Sequence, residues 1–217
     1  AVRSRLAPPI ILPRVFHLRM GASGCYSPDE LHGLGLARVG EGVHIDRSVR
    51  FFGAERIRIG SNVRIDAFSV LSAGSQELTI GNHIHIAVGV RFLGGDRVVL
   101  EDFCNLSAGV CVFGSNDDYS GGALTNPTIP DDYRRVTTGP ILLRKHVIVG
   151  ANSVILPNVT LDLASSVGAL TLVNKSIPEF VIVSGNPMRK IGMRSSTILE
   201  NEKRFLADIA GAAERNA

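Results

Sequence analysis

Aliphatic residues recur at every sixth position through most of this chain. Two successive hexads, Ile59–Arg64 and Ile65–Val70, are followed by Leu71 at the next aliphatic position. Hexads of the same kind begin at Ile80, Leu100, Leu143 and Leu161, and weaker ones begin at Val39 and Ile45. A repeat this short cannot bury its apolar side alone and must stack on its neighbours, so the pattern predicts a parallel β-solenoid.

The spacing of the hexads predicts the shape of the solenoid and the position of a long loop. Three hexads make one coil of eighteen residues, a triangle with three short strands. The coils begin at residues 39, 59, 80, 100, 143 and 161, so consecutive starts are 20, 21, 20, 43 and 18 residues apart. The 43-residue interval contains an insertion at one corner, residues 113–140. Long loops in compact domains are usually functional or disordered.

Each end of the repeat region has the signals of a helix. Ser27 is a good N-cap, Pro28 stands at the first helical position, and two acids follow in the first turn. A short helix there would cover the unpaired strand edges at the open end of the solenoid. Thr197 and Glu200 have the spacing of a capping box. The apolar residues of a C-terminal amphipathic helix would be Ile198, Phe205, Leu206 and Ile209.

The composition fits a thin aliphatic core, because only 6% of the residues are aromatic and tryptophan is absent. The formal net charge is +3, but residues 1–19 hold four arginines and no acid (+4), so the remainder carries −1 and does not favour nucleic-acid binding. Residues 1–19 also lack hexads, and we expect them to be a leader, a tag or an upstream start, with a native flexible arm as the alternative. The other expected segments are an N-terminal capping segment (20–38), the β-helix (39–194) and a C-terminal helix (195–217).

The sequence also bears on the compartment in which the protein works. No stretch approaches the roughly 20 apolar residues of a membrane span, and none has the order of segments typical of a signal peptide. The three cysteines, Cys25, Cys104 and Cys111, are odd in number and lack the spacing of a metal site. They therefore predict a reduced, cytoplasmic setting. Cys104 falls at an inward position of its hexad, which predicts a small core residue.

The chain closely resembles the left-handed β-helix acyltransferases of the hexapeptide-repeat family. The resemblance covers about residues 36–194 and rests on the tandem hexads, the late long loop, the segment ILLRKHVIVGANSVILPNVTL (141–161) and Ser184-Gly-Asn-Pro187. The most similar members are the sugar acetyltransferases related to galactoside and maltose acetyltransferase, and enzymes that acylate surface-polysaccharide sugars. The resemblance implies an all-β, left-handed parallel β-helix. It also implies a homotrimer with active sites between subunits and an acyl-coenzyme A donor along the groove.

The sequence departs from this family at two positions that matter for the acceptor. In the family's O-acetyltransferases, a histidine after the coil that precedes the long loop is the general base, and here Asp117 stands at that position. An asparagine that supports the acceptor falls at Ala87. A sugar hydroxyl needs an effective base, whereas an unprotonated amine is already nucleophilic. We therefore expect N-acylation of an amino deoxysugar carried on a nucleotide, for surface-polysaccharide synthesis. O-acetylation of a hydroxyl and a non-catalytic trimeric scaffold are the alternatives.

Several polar residues are candidates for the acceptor side of the site. The candidate catalytic residues are Asp117, which is preferred, with His85 and Asp118 in support, and the candidate acceptor-binding residues are Asp96, Asn116 and Tyr119. His85 is the sixth residue of its hexad, as are His44, Arg64 and Asn105, so these four are predicted to form an outward column on one face. If His85 replaces the missing histidine, O-acylation is restored. Solvated turn residues are the alternative interpretation of the acids.

The donor side is predicted from small residues in register. Gly150-Ala151 and Gly168-Ala169 occupy equivalent hexad positions one coil apart, where small side chains would let the pantetheine arm lie close to the backbone. The resemblance places the thioester near the first of these pairs, with the N–H of Ala151 facing the developing oxyanion. Lys175 and Arg189 are candidates for the phosphates of coenzyme A. We expect no metal, because His83 and His85 point in different directions and no cysteine has a useful spacing.

Overall fold

The structure of the chain is a computed structural model that describes residues 24–216. Its three long sheets form the three faces of a parallel β-solenoid, as the hexads predicted. The expected leader, residues 1–19, lies outside the described residues. One short helix precedes the first coil and a longer helix follows the last.

The strands are short, and most contain two or three residues. In chain order they are β1 (Arg38–Val39), β2 (His44–Ile45), β3 (Arg50–Phe52), β4 (Ile57–Ile59), β5 (Arg64–Ile65), β6 (Val70–Ser72), β7 (Leu78–Ile80), β8 (His85–Ile86), β9 (Arg91–Leu93), β10 (Val98–Leu100), β11 (Asn105–Leu106), β12 (Cys111–Phe113), β13 (Ser115–Asn116), β14 (Thr137–Thr138), β15 (Ile141–Leu143), β16 (Ile148–Val149), β17 (Val154–Ile155), β18 (Val159–Leu161), β19 (Ser166–Val167), β20 (Leu172–Val173), β21 (Val181–Ser184) and β22 (Arg189–Met193). Single turns of 3₁₀ helix occupy Ala54–Arg56 and Asp131–Tyr133.

Each strand pairs with the equivalent strand of the next coil. The first sheet has the order β1-β4-β7-β10-β15-β18, the second β2-β5-β8-β11-β16-β19-β21-β22, and the third β3-β6-β9-β12-β17-β20. The register pairs Val39 with Ile59, Ile59 with Ile80, Ile80 with Leu100, Leu100 with Leu143, and Leu143 with Leu161. The predicted coil starts are therefore confirmed, including the pairing across the long loop.

Inward-facing aliphatic residues fill the centre of the solenoid. The residues at the coil starts are almost completely buried, with the exception of the partly buried Val39 in the first coil. Cys104 is buried among them, so its predicted core role is confirmed. Phe92 is the one phenylalanine in the buried core of the described residues, and it pairs in register with Leu71 and Val112. A core this narrow can accommodate an aromatic ring in one coil because the neighbouring coils contribute smaller aliphatic side chains at the same position.

The corner between the first and second sheets carries a stack of rings. His83, Phe103 and His146 occupy equivalent places in successive coils, each with a positive φ. Their ring centroids are 5.0 Å apart at each step, and the planes are nearly parallel. Both histidines thus have structural surroundings. Within residues 24–216, no group of three or more metal-ligating side chains is assembled.

The N-terminal helix α1 (Pro28–Gly33) covers the first coil. The Ser27 hydroxyl accepts the backbone N–H of Glu30 at 3.3 Å, and the Glu30 carboxylate accepts the backbone N–H of Ser27 at 2.8 Å. Leu31 is buried against the solenoid core. The predicted N-cap at Ser27 is confirmed, and the reciprocal bonds add a capping box.

The C-terminal helix α2 (Thr197–Asn216) begins differently from the prediction. Thr197 is its first helical residue, and the Ser195 hydroxyl accepts the Thr197 backbone N–H at 3.2 Å, so the predicted Thr197–Glu200 capping box does not start the helix. A serine two residues upstream satisfies this N–H instead, because the chain enters the helix from β22. In the described part of the chain, no helix has the length and apolarity that crossing a membrane requires.

Helix α2 is fastened to the ring stack at the corner. The Glu202 carboxylate accepts a hydrogen bond from Lys145 Nζ at 2.6 Å and lies 2.7 Å from His146 Nε2. Phe205 meets His83 edge-on, with ring centroids 5.3 Å apart. Burial alone would raise the pKa of Glu202, but the hydrogen bonds from Lys145 and His146 outweigh it and hold that pKa below its ordinary value.

The last strand of the second sheet was not predicted. After β21 the chain turns through Gly185 and Pro187, and β22 runs back antiparallel to β21. Gly185 has a φ of +94°, a conformation that L side chains rarely adopt. The sequence was expected to continue as solenoid to residue 194. The turn instead reverses the chain, so that β22 covers the edge of β21.

Candidate active site

The long loop leaves the solenoid at the corner between the third and first sheets, between β12 and β15. At its base β13 and β14 form an antiparallel pair, with Ser115 opposite Thr138 and Asn116 opposite Thr137. Asp117 follows β13 directly and its side chain is exposed. The ladder therefore fixes the backbone that carries Asp117 while leaving its carboxylate accessible.

Glycines of successive coils lie in contact beneath the loop base. A Cβ built on Gly95 would overlap the carbonyl oxygen of Gly114, the residue that begins the loop. A Cβ on Gly114 would lie 2.8 Å from Gly95 N and 3.2 Å from Asp96 N. The backbone of Asp96 thus lies on the same edge as the loop base, where the sequence placed it. Its carboxylate accepts the backbone N–H of Arg97 at 2.6 Å.

The loop encloses a cleft of about 500 Å³, which we call the loop cleft; it is lined by Asp117, Asp118, Tyr119, Gly121, Ala123, Leu124 and Thr125. Tyr119 is 89% exposed and Leu124 is 56% exposed. A cleft of a few hundred Å³ that combines apolar surface with a few polar groups has the size and lining of a small-molecule site. The predicted acceptor-side residues Asp117, Asp118 and Tyr119 therefore share one cleft.

The two neighbouring acids of the loop have different surroundings. Oδ1 of Asp118 accepts the backbone N–H of Ser120 at 2.8 Å and its hydroxyl at 2.6 Å, and Arg135 Nη1 lies 3.8 Å from Oδ2. The hydrogen bonds from Ser120 hold the pKa of Asp118 below its ordinary value. Asp118 thus shapes the turn of the loop, whereas the Asp117 carboxylate is open to the cleft.

His85 lies on a different face of the molecule. Its Nε2 is 2.9 Å from Oδ2 of Asp66, whose Oδ1 accepts a hydrogen bond from Arg64 Nε at 2.6 Å. The register aligns His44, Arg64, His85 and Asn105 on successive strands of the second sheet, so the predicted column is confirmed. The loop leaves from the opposite corner of the triangle, so one chain does not bring His85 and Asp117 to the same face.

The predicted donor residues Gly150-Ala151 and Gly168-Ala169 lie along the corner between the second and third sheets, which we call the donor corner, and Ser107 lies at the same corner. Ser107 precedes Gly150 by one coil, and its backbone N–H donates to the carbonyl of Val149 at 2.9 Å. The sequence did not single out Ser107. The sequence shows only that a small polar residue stands at the hexad position where the next two coils have glycine.

Coil stacking explains the two glycines of the donor corner. A Cβ on Gly150 would overlap the backbone nitrogen of Ala169, and a Cβ on Gly168 would lie 2.6 Å from Ser184 Oγ. The sequence attributed their small size to room for the pantetheine arm, but contacts within the chain already require glycine. Ala169 is exposed and Ala151 is partly exposed along the corner.

The two predicted phosphate contacts lie at different corners. Arg189 begins β22 opposite Ser184, the residue stacked on Gly168, so it is next to the donor corner. Lys175 follows β20 and lies at the corner between the third and first sheets. Both side chains are exposed. The structure therefore associates only Arg189 with the glycine pairs.

Comparison with known proteins identifies the family. No protein-family model matches the chain. A dTDP-4-amino-4,6-dideoxy-D-glucose acyltransferase from Escherichia coli is 38% identical over 182 residues, which is 84% of this chain and 95% of the relative. The chain belongs to the hexapeptide-repeat acyltransferase family. The predicted family and enzyme class are therefore confirmed. Related structures that contain coenzyme A or 3-hydroxybutyryl-CoA confirm the predicted coenzyme A thioester donor.

Solved structures place the acyltransferase among N-acyltransferases rather than O-acetyltransferases. AntD, an N-acyltransferase from Bacillus cereus in complex with dTDP and 3-hydroxybutyryl-CoA, is 40% identical, with a TM-score of 0.83 over 86% of this chain and 98% of that one. A maltose O-acetyltransferase from Clostridium difficile 630 is only 19% identical, with a TM-score of 0.53 over 77% of this chain and 74% of that one. The second likeness shows the fold alone.

Replacing Gly95 by alanine is expected to weaken both the folding of the acyltransferase and its activity. The new methyl group would meet the carbonyl of Gly114 at the loop base, and overpacking of this kind costs about 1–3 kcal/mol. We expect a lower free energy of unfolding in urea and a lower kcat/KM. Gly33→Ala is the control, since a Cβ there meets nothing within 4 Å. Equal losses in the two variants would contradict the packing explanation.

Proposed function

We propose that this acyltransferase transfers an acyl group from a coenzyme A thioester to the 4-amino group of a dTDP-linked 4-amino-4,6-dideoxyhexose. The observation that carries the proposal is the open carboxylate of Asp117 in the loop cleft, where the family's O-acetyltransferases have histidine. The names of the relatives support the substrate. The E. coli relative is named for dTDP-4-amino-4,6-dideoxy-D-glucose, and structures of the B. cereus enzyme contain this sugar nucleotide with coenzyme A.

The chemistry follows from placing the amine near Asp117. The unprotonated amine attacks the thioester carbonyl, a carbon–nitrogen bond forms, and the carbon–sulfur bond breaks as the tetrahedral intermediate collapses. The nitrogen gives up one proton to the Asp117 carboxylate, which passes it to the departing thiolate, so that coenzyme A leaves as the free thiol and the carboxylate is restored. In this proposal the backbone N–H of Ala151 faces the oxyanion, the kind of contact that stabilises such intermediates.

A sequence spacing supports the pairing of Asp117 with the donor corner. The B. cereus structures include variants at a serine and at an aspartate ten positions further along its chain. In the present sequence Ser107 and Asp117 are the one serine–aspartate pair with that spacing. We therefore include Ser107 in the proposed site, beside Gly150 and Ala151.

The positions of Ser107 and Asp117 favour an active site shared between subunits. Ser107 lies at the donor corner and Asp117 at the loop corner, so the width of the third sheet separates them within one chain. A neighbouring copy that places its loop cleft against the donor corner would bring the two together. We accordingly propose a homotrimer, the arrangement that the family resemblance implies.

The proposed setting is the cytoplasm, in the synthesis of a surface polysaccharide. All three cysteines are free, which fits a reducing compartment. Coenzyme A thioesters and nucleotide-linked sugars are the two substrates that the proposal requires there. The product would be an N-acylated sugar nucleotide for a glycosyltransferase to consume.

The first test is a thiol-release assay with acetyl-CoA and 3-hydroxybutyryl-CoA. The acceptors are dTDP-4-amino-4,6-dideoxyglucose and its counterpart with a hydroxyl group at C4. We expect turnover with the amine alone, and we expect His85→Asn to retain it, because Nε2 of His85 is already paired with Asp66 and the amine needs no histidine base. Turnover of the hydroxyl sugar that is abolished in His85→Asn would instead establish O-acylation with a relocated histidine base.

A further inference from the structure

The loop cleft combines an anionic group with an apolar wall. Its lining includes Asp117, Tyr119 and Leu124. Leu124 and Tyr119 both leave more than half of their surface exposed. A ligand that fills the cleft would cover apolar area of Leu124 and Tyr119 while meeting the carboxylate of Asp117. An occupant with an amine group near an apolar group fits this lining.

Both walls are held in place before any ligand arrives. The backbone N–H of Leu124 donates to the carbonyl of Tyr133 at 2.9 Å, and Leu124 also forms a parallel bridge to Arg134. The hydrogen bonds from Ser120 to Asp118 fix the turn that carries Tyr119. A pre-organised wall contributes to selectivity because little order has to be imposed on binding.

We propose that Leu124, with the ring of Tyr119, recognises the C6 methyl group of the acceptor sugar and selects against amino sugars with a hydroxymethyl group at this position. This inference rests on the proposed function. In a 4-amino-4,6-dideoxyhexose, the ring carbon that carries the amine (C4) is bonded to the ring carbon that carries the methyl group (C5). A sugar whose amine approaches Asp117 therefore presents its methyl group a short distance away, within the same cleft that Leu124 and Tyr119 line.

The expected selectivity follows from the chemistry of the two groups. A methyl group gains from contact with a leucine side chain, whereas a hydroxyl group would lose water there without gaining a partner. Apolar pockets reject an added hydroxyl group by a factor on the order of 100 at most. We therefore expect kcat/KM for the 6-deoxy amino sugar to exceed that for its 6-hydroxy counterpart by on the order of 10- to 100-fold.

The test compares two acceptors across four proteins. The acceptors are dTDP-4-amino-4,6-dideoxyglucose and dTDP-4-amino-4-deoxyglucose, and the proteins are the wild type, Leu124→Asn, Leu124→Met and Val136→Asn. Leu124→Asn should bring the ratio of the two kcat/KM values close to one, and Leu124→Met should retain it. Val136 is an exposed apolar residue of the same loop that does not line the cleft, so Val136→Asn should keep the wild-type ratio.

The outcomes separate this inference from the proposed function. Turnover of both sugars by the wild type at similar kcat/KM would overturn the methyl recognition and leave the proposed function intact. Equal losses for both sugars in Leu124→Asn, or a changed subunit number in light scattering, would assign Leu124 to folding or subunit contact instead. Failure of the wild type to acylate either sugar would overturn the proposed function, and the inference with it.

Discussion

Asp117→Asn lowers kcat/KM for the amino sugar by about 100-fold or more, because the amide cannot accept the proton that the attacking nitrogen releases. The side chain keeps its size and its place after β13, so the loop cleft retains its shape. The loss should appear in kcat, whereas the KM for the coenzyme A thioester should change little. Steady-state thiol-release kinetics with both substrates varied provide the measurement.

The control for this prediction is Asp132→Asn, the same chemical change in the same loop. Asp132 is exposed and does not line the cleft, so its activity should match the wild type. If Asp117→Asn also retains wild-type kcat, the departing thiolate collects the proton and Asp117 is not the base. A rise in the KM for the sugar nucleotide alone would limit Asp117 to binding the amine.

The second large effect concerns stability. Phe92→Ala should lower the free energy of unfolding by about 3–5 kcal/mol, because it removes the ring and leaves a cavity in a narrow core. Leu71 and Val112, its neighbours in register, belong to strands with fixed spacing and cannot close in to fill the space. Urea denaturation monitored by circular dichroism, at one protein concentration, gives the difference.

Phe52→Ala supplies the comparison, since it deletes the same ring from the same sheet at a position that is 58% exposed. Its midpoint of denaturation should remain close to that of the wild type. Similar destabilisation by both substitutions would mean that burial in the core does not account for the contribution of Phe92 to the free energy of unfolding.

The hexads were enough to predict most of the fold, because an inward residue of one coil must stack on the inward residues of the coils above and below it. The pairing of Leu100 with Leu143 could be foreseen across the loop for this reason. By contrast, β22 and the attachment of α2 through Glu202 depend on contacts between distant segments that have no repeat. Propensity alone placed the helix but gave its cap as Thr197, which is already the first helical residue and donates its N–H to the Ser195 hydroxyl.

The candidate site was only partly accessible to sequence reasoning. Asp117 could be found because its distance from the last regular coil is fixed by the repeat. The wall formed by Leu124 could not, since the loop has no periodicity and its hydrogen bond to Tyr133 is set by folding of the loop itself. Ser107 gave no distinct signal, because both polar and small residues fit at that corner. Coil packing also accounts for Gly150, where the sequence suggested a ligand.

Because β10 pairs directly with β15, the solenoid does not depend on the sequence of the long loop between them. Because Val98 pairs with Ile141 and Leu100 with Leu143, the coils on either side close on each other whatever the intervening segment contains. Residues 115–138 can therefore be exchanged for another segment while Gly114 and Gly139, which pack on the neighbouring coils, and the scaffold that carries the glycine pairs are kept. Lineages of such enzymes can change the molecule they modify while inheriting an unchanged way of holding the group they transfer.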